Sequence, residues 1–439
     1  MAIDVTAQQD PSVLSDGTRI EELFDLDRRR ISARVFSDPE IFKLEMERIF
    51  SHSWLFLGLE SEIPEPGDYI TRPMAGDSVI VNRGQDGEIN VLLNRCSHRG
   101  TELCMSETGN TRQFRCPYHG WLYAPDGRLK ALPAANEWLG DHSSKSEYGL
   151  RKARVETRGG LIFGTWDEDM VDFESYLGDF TFYFDMLFCS VNKDLVSVGA
   201  PQRWTVPFNW KLGAENFTGD TYHLQTAHAS LTEIGMVPPL EGMYVAFGAD
   251  PKGGHGYQSV LPVEGVDPPE LSVTLPWIPA EVLPELEEHM NPEQMSILKD
   301  GAIPLVGNFF PNFSWLASPF FFFLRTWQPI SPNEIEIRTW TMTHPDASEA
   351  DRKARLQGVN LTFGATGMFE TDDMTIFARI QRQHENLIGS REPVSYAATL
   401  GEPDSDWPGP GLVWKGMAAD DHLWNFHLRW LHLMTGGEL

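Results

Sequence analysis

Two cysteines and two histidines stand in two short groups of matching composition, Cys96-Ser97-His98 and Cys116-Pro117-Tyr118-His119, with 17 residues between them. Each group follows an apolar β-rich run, Val91 to Leu93 in one case and Phe114 in the other, so two hairpin tips can meet across one ligand. Two thiolates and two imidazoles suit either a tetrahedral zinc ion or a 2Fe-2S cluster in which histidines replace two cysteines on one iron. The pairing separates the two. Zinc fingers set cysteine with cysteine and histidine with histidine, whereas each loop here carries one of each, as needed when one iron takes both sulfurs and the other both nitrogens.

A second constellation lies about 100 residues further on. The stretch 209–230 reads as a helix containing Asp220, His223 and His228. Asp220 and His223 share a face, but His223 and His228 stand about 140° apart on an ideal helix, so both meet one metal only where the helix bulges or ends. Two histidines and a carboxylate form the facial triad of non-haem Fe(II) oxygenases, with positions left open for dioxygen. The carboxylate must come from elsewhere, and Glu370-Thr371-Asp372-Asp373, in a second helical stretch at 347–383, supplies candidates. Asn216, Phe217, Phe363 and Phe369 flank these residues, and flat apolar walls favour an aromatic ring presented edge-on.

The elements that must position these groups follow from the whole chain. Its 439 residues, 41 % apolar and 22 % charged, make two or three globular domains. Thirty-five basic against 63 acidic residues leave a net charge of −28, a field that repels nucleic acid and anionic membrane. Four cysteines are too few for a secreted disulfide framework and fit a reducing cytoplasm, with Cys104 and Cys189 read as inert thiols. No signal segment opens the chain, and apolar runs such as Pro319 to Leu324 fall far short of the roughly 20 residues that span a bilayer. Residues 1–15 are expected to fray, Ile20 to Phe50 to form two surface helices, and the run from Ser53 to about 156 to form an antiparallel β domain. The rest mixes strands with helices at 209–230, 347–383 and 418–434. Residues 264–304 read as an insertion or lid-like loop, and Phe320 to Phe323 as a strand buried on both faces.

Cys96-Ser97-His98-Arg99-Gly100 with Cys116-Pro117-Tyr118-His119-Gly120-Trp121 resembles the Rieske domain of aromatic ring-hydroxylating oxygenases, and the resemblance extends over nearly the whole chain. It implies an α+β fold: N-terminal helices over 1–39, an antiparallel β Rieske 2Fe-2S domain over 40–156 and a helix-grip catalytic domain over 157–439. Cys96, His98, Cys116 and His119 would hold the cluster. The run from Phe363 to Asp373 is similar to the family segment whose final Asp is an iron ligand, which selects Asp373 beside His223 and His228. Asp220 would bridge His223 to a Rieske histidine of an adjacent subunit, a role falling to His119. The segment Phe309 to Phe313 is expected near the pocket.

The activity implied is that of a terminal oxygenase α subunit adding both atoms of dioxygen to an aromatic ring as a cis-dihydrodiol. Electrons would pass from NADH through a reductase and a ferredoxin, and a small β subunit would complete a trimer of α–β pairs. The alternative is a Rieske monooxygenase performing hydroxylation or O/N-dealkylation with the same two centres. No G-x-G-x-x-G follows a strand, in keeping with nicotinamide chemistry on a separate component. Between Arg95 and Lys130, six basic residues (Arg95, Arg99, Arg112, Arg115, Arg128, Lys130) oppose Glu102, Glu107 and Asp126, a local 6 − 3 = +3 suited to docking an acidic electron carrier.

Overall fold

Short β-formers broken by Gly and Asp-Gly turns build the unit that carries both Cys/His groups, Phe50–Tyr176 with Asp194–Ser197. The fold is seen in a computed structural model that describes residues 12–134, 144–236, 244–261, 267–416 and 418–436. In this unit β1 (Leu55–Leu59), β2 (Asp68–Met74), β3 (Asp77–Arg83), β4 (Ile89–Leu93) and β5 (Thr108–Asn110) lead to the smaller hairpins β6 (Phe114–Arg115), β7 (Leu122–Tyr123) and β8 (Leu129–Ala131). Strands β9 (Lys152–Arg158) and β10 (Leu161–Thr165) complete it. The large antiparallel sheet runs β1-β10-β9-β4-β3-β2-β5, and β8-β7-β6 form a second sheet. Ile80, Leu92, Phe114, Trp121 and Tyr123 are buried in one core with Cys96 and Cys116. The cysteines are therefore anchored in packed β structure.

The second unit, Met1–Ile49, Leu177–Lys193 and Val198–Leu439, is helix on antiparallel sheet. Its strands are β11 (Gln202–Val206), β12 (Tyr244–Ala249), β13 (Gly256–Leu261), β14 (Pro304–Phe309), β15 (Phe313–Ala317), β16 (Phe322–Ser331), β17 (Glu334–Thr343) and β18 (Leu412–Gly416). They run in the order β17-β16-β15-β14-β13-β12-β18, with β11 also paired to β17. Helices α1 (Pro39–Arg48), α2 (Trp210–Gly219), α3 (Glu349–Thr362), α4 (Met368–Glu385) and α5 (Asp421–Thr435) pack with it. Helix α2 lies on β13 to β16 and against α5, with Trp210, Leu212, Ala214 and Phe217 buried. Glu45 of α1 accepts from Trp210 Nε1 at 3.0 Å and Trp430 Nε1 at 2.6 Å and pairs with the buried Lys211, tying α1, α2 and α5 together.

Several expectations are corrected. Ile20 to Phe50 is not two surface helices but a 3-10 turn, a pair of short strands, a second 3-10 turn and then α1. Asp38, whose side chain accepts from the Glu40 N–H, followed by Pro39, starts the one true helix, and Ile20, Ile31, Phe36 and Ile41 are buried. The frayed stretch expected at 1–15 lies outside the described residues through residue 11.

The 264–304 segment, outside the described residues at 264–266, is a packed run of short helices rather than a loop. Trp277, Leu286, Ile297 and Leu298 are buried there, and a capping box joins Asn291 to Gln294. Of the phenylalanine run, Phe322 and Phe323 are buried in β16, whereas Phe320 is 76 % exposed because Ser318 Oγ accepts from the Phe320 and Phe321 N–H groups in a turn. The 347–383 stretch breaks into α3 and α4 at Phe363 to Gly367. Phe309, Phe310 and Phe313 are core residues and do not reach the cavity described below.

Candidate active site and metal centres

In the β unit, the two Cys/His loops share one construction. The Cys96 N–H donates to Thr101 O and the Gly100 N–H to Cys96 O; the Cys116 N–H donates to Trp121 O and the Gly120 N–H to Cys116 O, all between 2.8 and 3.0 Å. Both glycines are left-handed, at φ +77° and +70°, which closes each loop without a Cβ clash. The Arg95 and Arg115 guanidinium groups, each one residue before a cysteine, lie over Gly100 and Gly120 respectively.

Cys96 and Cys116 are buried, while His98 and His119 are partly exposed with their Nδ1 atoms 3.2 Å apart. His98 stacks on Trp121 at 4.9 Å and 4°. Burial raises the Cys96 thiol pKa, and Tyr123 OH stands 3.2 Å from its Sγ. Among the described residues the group of three or more such donors whose ligand atoms all lie within 4.8 Å of one another is elsewhere, so these four do not converge on a single ion. Donors in two pairs, nitrogens outward, fit a binuclear cluster rather than zinc. Cys104 is buried, its thiol pushed up to about 11 chiefly by burial.

That converging group is His223, His228 and Asp373. Helix α2 ends at Gly219, whose φ of +129° and contact with Gln258 exclude a side chain, and a 3-10 turn at Thr221–His223 and a short helix at Leu224–Ala227 follow. The break is what lets His223 and His228 face one point, as their spacing required. His228 Nε2 lies 3.2 Å and His223 Nε2 3.6 Å from Asp373 Oδ1 on α4. Metal bonds of about 2.1 Å at right angles put ligand atoms about 3 Å apart, so the donor set fits one ion.

Each imidazole is held from behind by a second carboxylate: Asp220 Oδ2 lies 3.4 Å from His223 Nδ1, and Asp372 Oδ2 lies 3.2 Å from His228 Nδ1. Such partners turn Nε2 toward a metal. Burial pushes the Asp220 carboxyl up, but the His223 hydrogen bond and charge outweigh it and leave it below its ordinary range. Burial likewise lowers His223, and Asp220 with Asp373 more than reverses this. Sequence reasoning weighed Asp372 only as a rival ligand and missed this backing role.

The triad opens into a cavity of about 810 Å³. Asn216, Phe217, Phe363 and Phe369, all anticipated, line it, with Phe363 and Phe369 stacked 5.0 Å apart at 12°. Asn216 Nδ2 lies 3.4 Å from His223 Nδ1. No lysine or arginine is among the described lining residues. Behind the wall, the buried Arg325 pairs with the buried Glu370 at 2.9 Å and donates to Phe363 O at 2.8 Å, an arrangement no local sequence pattern announces. Among the described residues no helix is long and apolar enough to cross a membrane.

The sequence profile of the Rieske [2Fe-2S] domain matches residues 53–151, and that of the ring hydroxylating alpha subunit (catalytic domain) matches residues 192–436. The α subunit of N,N-dimethyl phenylurea N-demethylase from Sphingobium sp. (strain YBL2) is 34 % identical over 442 residues, 95 % of each chain. Benzene 1,2-dioxygenase subunit alpha of Pseudomonas putida is 33 % identical over 96 % of this chain and 94 % of its own. In three dimensions, naphthalene 1,2-dioxygenase from Rhodococcus sp. bound to indole superposes with a TM-score of 0.86 at 36 % identity, covering 93 % of this chain and 95 % of that one. With a Rieske [2Fe-2S] domain ahead of a catalytic domain that holds a mononuclear iron triad, the chain belongs to the ring hydroxylating α subunits of the Rieske oxygenases.

Proposed function

We propose that this chain is the α subunit of a terminal dioxygenase that converts an aromatic ring, dioxygen, NADH and a proton to a cis-dihydrodiol and NAD⁺. NADH is oxidised on a separate reductase, a ferredoxin carries the electrons, and a small β subunit completes a trimer of α–β pairs. The observation that carries this reading is the placement of His223, His228 and Asp373 in the wall of a cavity faced by Phe217, Phe363 and Phe369. The absence of lysine and arginine among the described lining residues favours a neutral ring over an aromatic acid, whose carboxylate would be buried unpaired.

When bound, the cluster on Cys96, His98, Cys116 and His119 supplies electrons and the iron on His223, His228 and Asp373 supplies dioxygen activation. The chain's own residues position the reactants. Phe363 and Phe369 form a flat wall for the ring, with Phe217 and Asn216 beside them. Asp220 orients His223 and, with its side chain 32 % exposed, keeps an edge for His119 of an adjacent copy in a closed ring of subunits. Arg95, Arg99, Arg112, Arg115 and Lys130, all exposed, give an acidic ferredoxin a basic face; Arg128, also exposed, is paired with Asp126 at 2.6 Å.

The test is product analysis under ¹⁸O₂ with purified partners: two labelled oxygens in one diol are expected. A single labelled atom with loss of formaldehyde from an N-methyl arene would instead support the monooxygenase reading, which the likeness to the phenylurea N-demethylase subunit favours. Asp220→Asn is expected to keep the cluster's visible spectrum while its reoxidation slows about 10- to 100-fold. Arg112→Glu with Arg115→Glu should slow reduction by ferredoxin at low salt, and an unchanged rate would remove the docking face.

A further inference from the structure

Most polar groups facing the cavity are already engaged. Asn216 and Asp220 serve His223, and the hydroxyls of Thr274, Ser318 and Thr362 donate to main-chain carbonyls. Gln258 is not: its side-chain amide, on a residue 4 % exposed, makes no hydrogen bond with any described residue.

It flanks the break that ends α2: a Cβ built on Gly219 would stand 2.7 Å from Gln258 Cβ and 3.3 Å from its Oε1. Gln258 therefore sits at the end of the cavity that carries Asp220 and His223. Gln258 of β13 borders the cavity together with Val260 of the same strand. An amide without a protein partner loses its solvation when a ligand fills the cavity, which is unfavourable unless the ligand meets it. A bare hydrocarbon cannot do so, and with no lysine or arginine among the described lining residues an anion is not the complement either.

We propose that Gln258 is a specificity-determining group that donates a hydrogen bond to a neutral carbonyl carried by the aromatic substrate, as in an aryl ketone, amide or urea. The amide N–H is the donor and the carbonyl oxygen the acceptor. The assignment rests on the reading of this cavity as an aromatic-ring site and names the substrate class within it.

The test compares benzophenone with diphenylmethane, which differ by one carbonyl, on the loaded holoenzyme. Dissociation constants come from calorimetry, and oxidation from coupled NADH and dioxygen consumption. The wild type should bind benzophenone about 10-fold more tightly, and Gln258→Met should erase that preference while leaving diphenylmethane within about 3-fold. Gln258→Leu should likewise erase the preference and serves if Gln258→Met fails to fold. Equal affinities in the wild type, or an unchanged ratio in both variants with both compounds still bound and oxidised, would overturn the role of Gln258 and leave the aromatic reading standing. Failure of the wild-type holoenzyme to bind or oxidise either compound would overturn both.

Discussion

Asp372 Oδ2 lies 3.2 Å from Nδ1 of His228, while the next residue on α4, Asp373, places Oδ1 3.2 Å from Nε2 of the same ring. Adjacent carboxylates thus address both nitrogens of one imidazole. The first fixes its tautomer and orientation, and the second shares the metal with it. Asp372→Asn should therefore weaken iron binding at the mononuclear site about 10- to 100-fold and leave the cluster's absorption unchanged. Iron titration of metal-depleted protein measures this, and undiminished affinity would assign Asp372 to the surface.

The phenol of Tyr123 stands 3.2 Å from Cys96 Sγ and 2.9 Å from Ser97 Oγ, whose own proton goes to Tyr148 O at 2.6 Å. Its single proton is shared between the sulfur and Ser97. A hydrogen bond to a ligand sulfur stabilises the more negative, reduced cluster, so Tyr123→Phe should lower the reduction potential and Ser97→Ala should raise it. One bond of about 1 kcal/mol corresponds to roughly 40 mV for a one-electron couple. Protein-film voltammetry of both variants checks the opposite signs, and shifts in the same direction would exclude a shared proton.

Both candidate metal sites could be read from the sequence because ligand chemistry restricts residue type and spacing. One thiol and one imidazole per loop already separated a two-iron cluster from zinc, and the 140° between His223 and His228 already required a broken helix. Where the break falls was not legible, since it depends on Gly219 meeting Gln258 from β13. Spacing alone does not separate Asp372 from Asp373; the family segment that ends on Asp373 selected it, and in the fold the rotation of α4 puts Asp373 on His228 Nε2 and Asp372 on Nδ1. The N-terminal segment was misread for a related reason: Arg30–Ser32 forms a strand by pairing with Pro393–Ser395, a partner that no local pattern encodes. Arg325 and Glu370 likewise meet only in the folded chain.

That pair supports the cavity wall. Arg325 is 1 % and Glu370 0 % exposed, and the guanidinium also donates to Phe363 O at 2.8 Å and to Thr339 Oγ1 at 3.1 Å. Burial pushes the Glu370 carboxyl up to about 7, against the Arg325 charge. Removing one member strands a buried charge, so Arg325→Met should destabilise the catalytic unit by about 3–5 kcal/mol, and adding Glu370→Leu should recover most of the loss. Urea unfolding of the single and double variants tests this, and simple additivity would show that the two do not act as a pair.

His422 of α5 donates from Nε2 to Gly219 O at 2.8 Å, and its Nδ1 is buried with no partner among the described residues. Burial lowers its pKa to about 4, against the pull of the Gly219 carbonyl and of Asp220 and Asp421. In the unfolded chain the imidazole titrates near its ordinary 6.5. Between these values the unfolded chain binds a proton that the folded chain does not, so this contribution to stability is complete above pH 6.5 and is lost as pH falls toward 4. The span of 2.5 pH units sets it at no more than about 3 kcal/mol. His422→Gln keeps a donor for Gly219 O but does not titrate, so its stability should fall less steeply between pH 6.5 and 4. Urea midpoints across that range measure the slope, and identical slopes would place the acid sensitivity in another group.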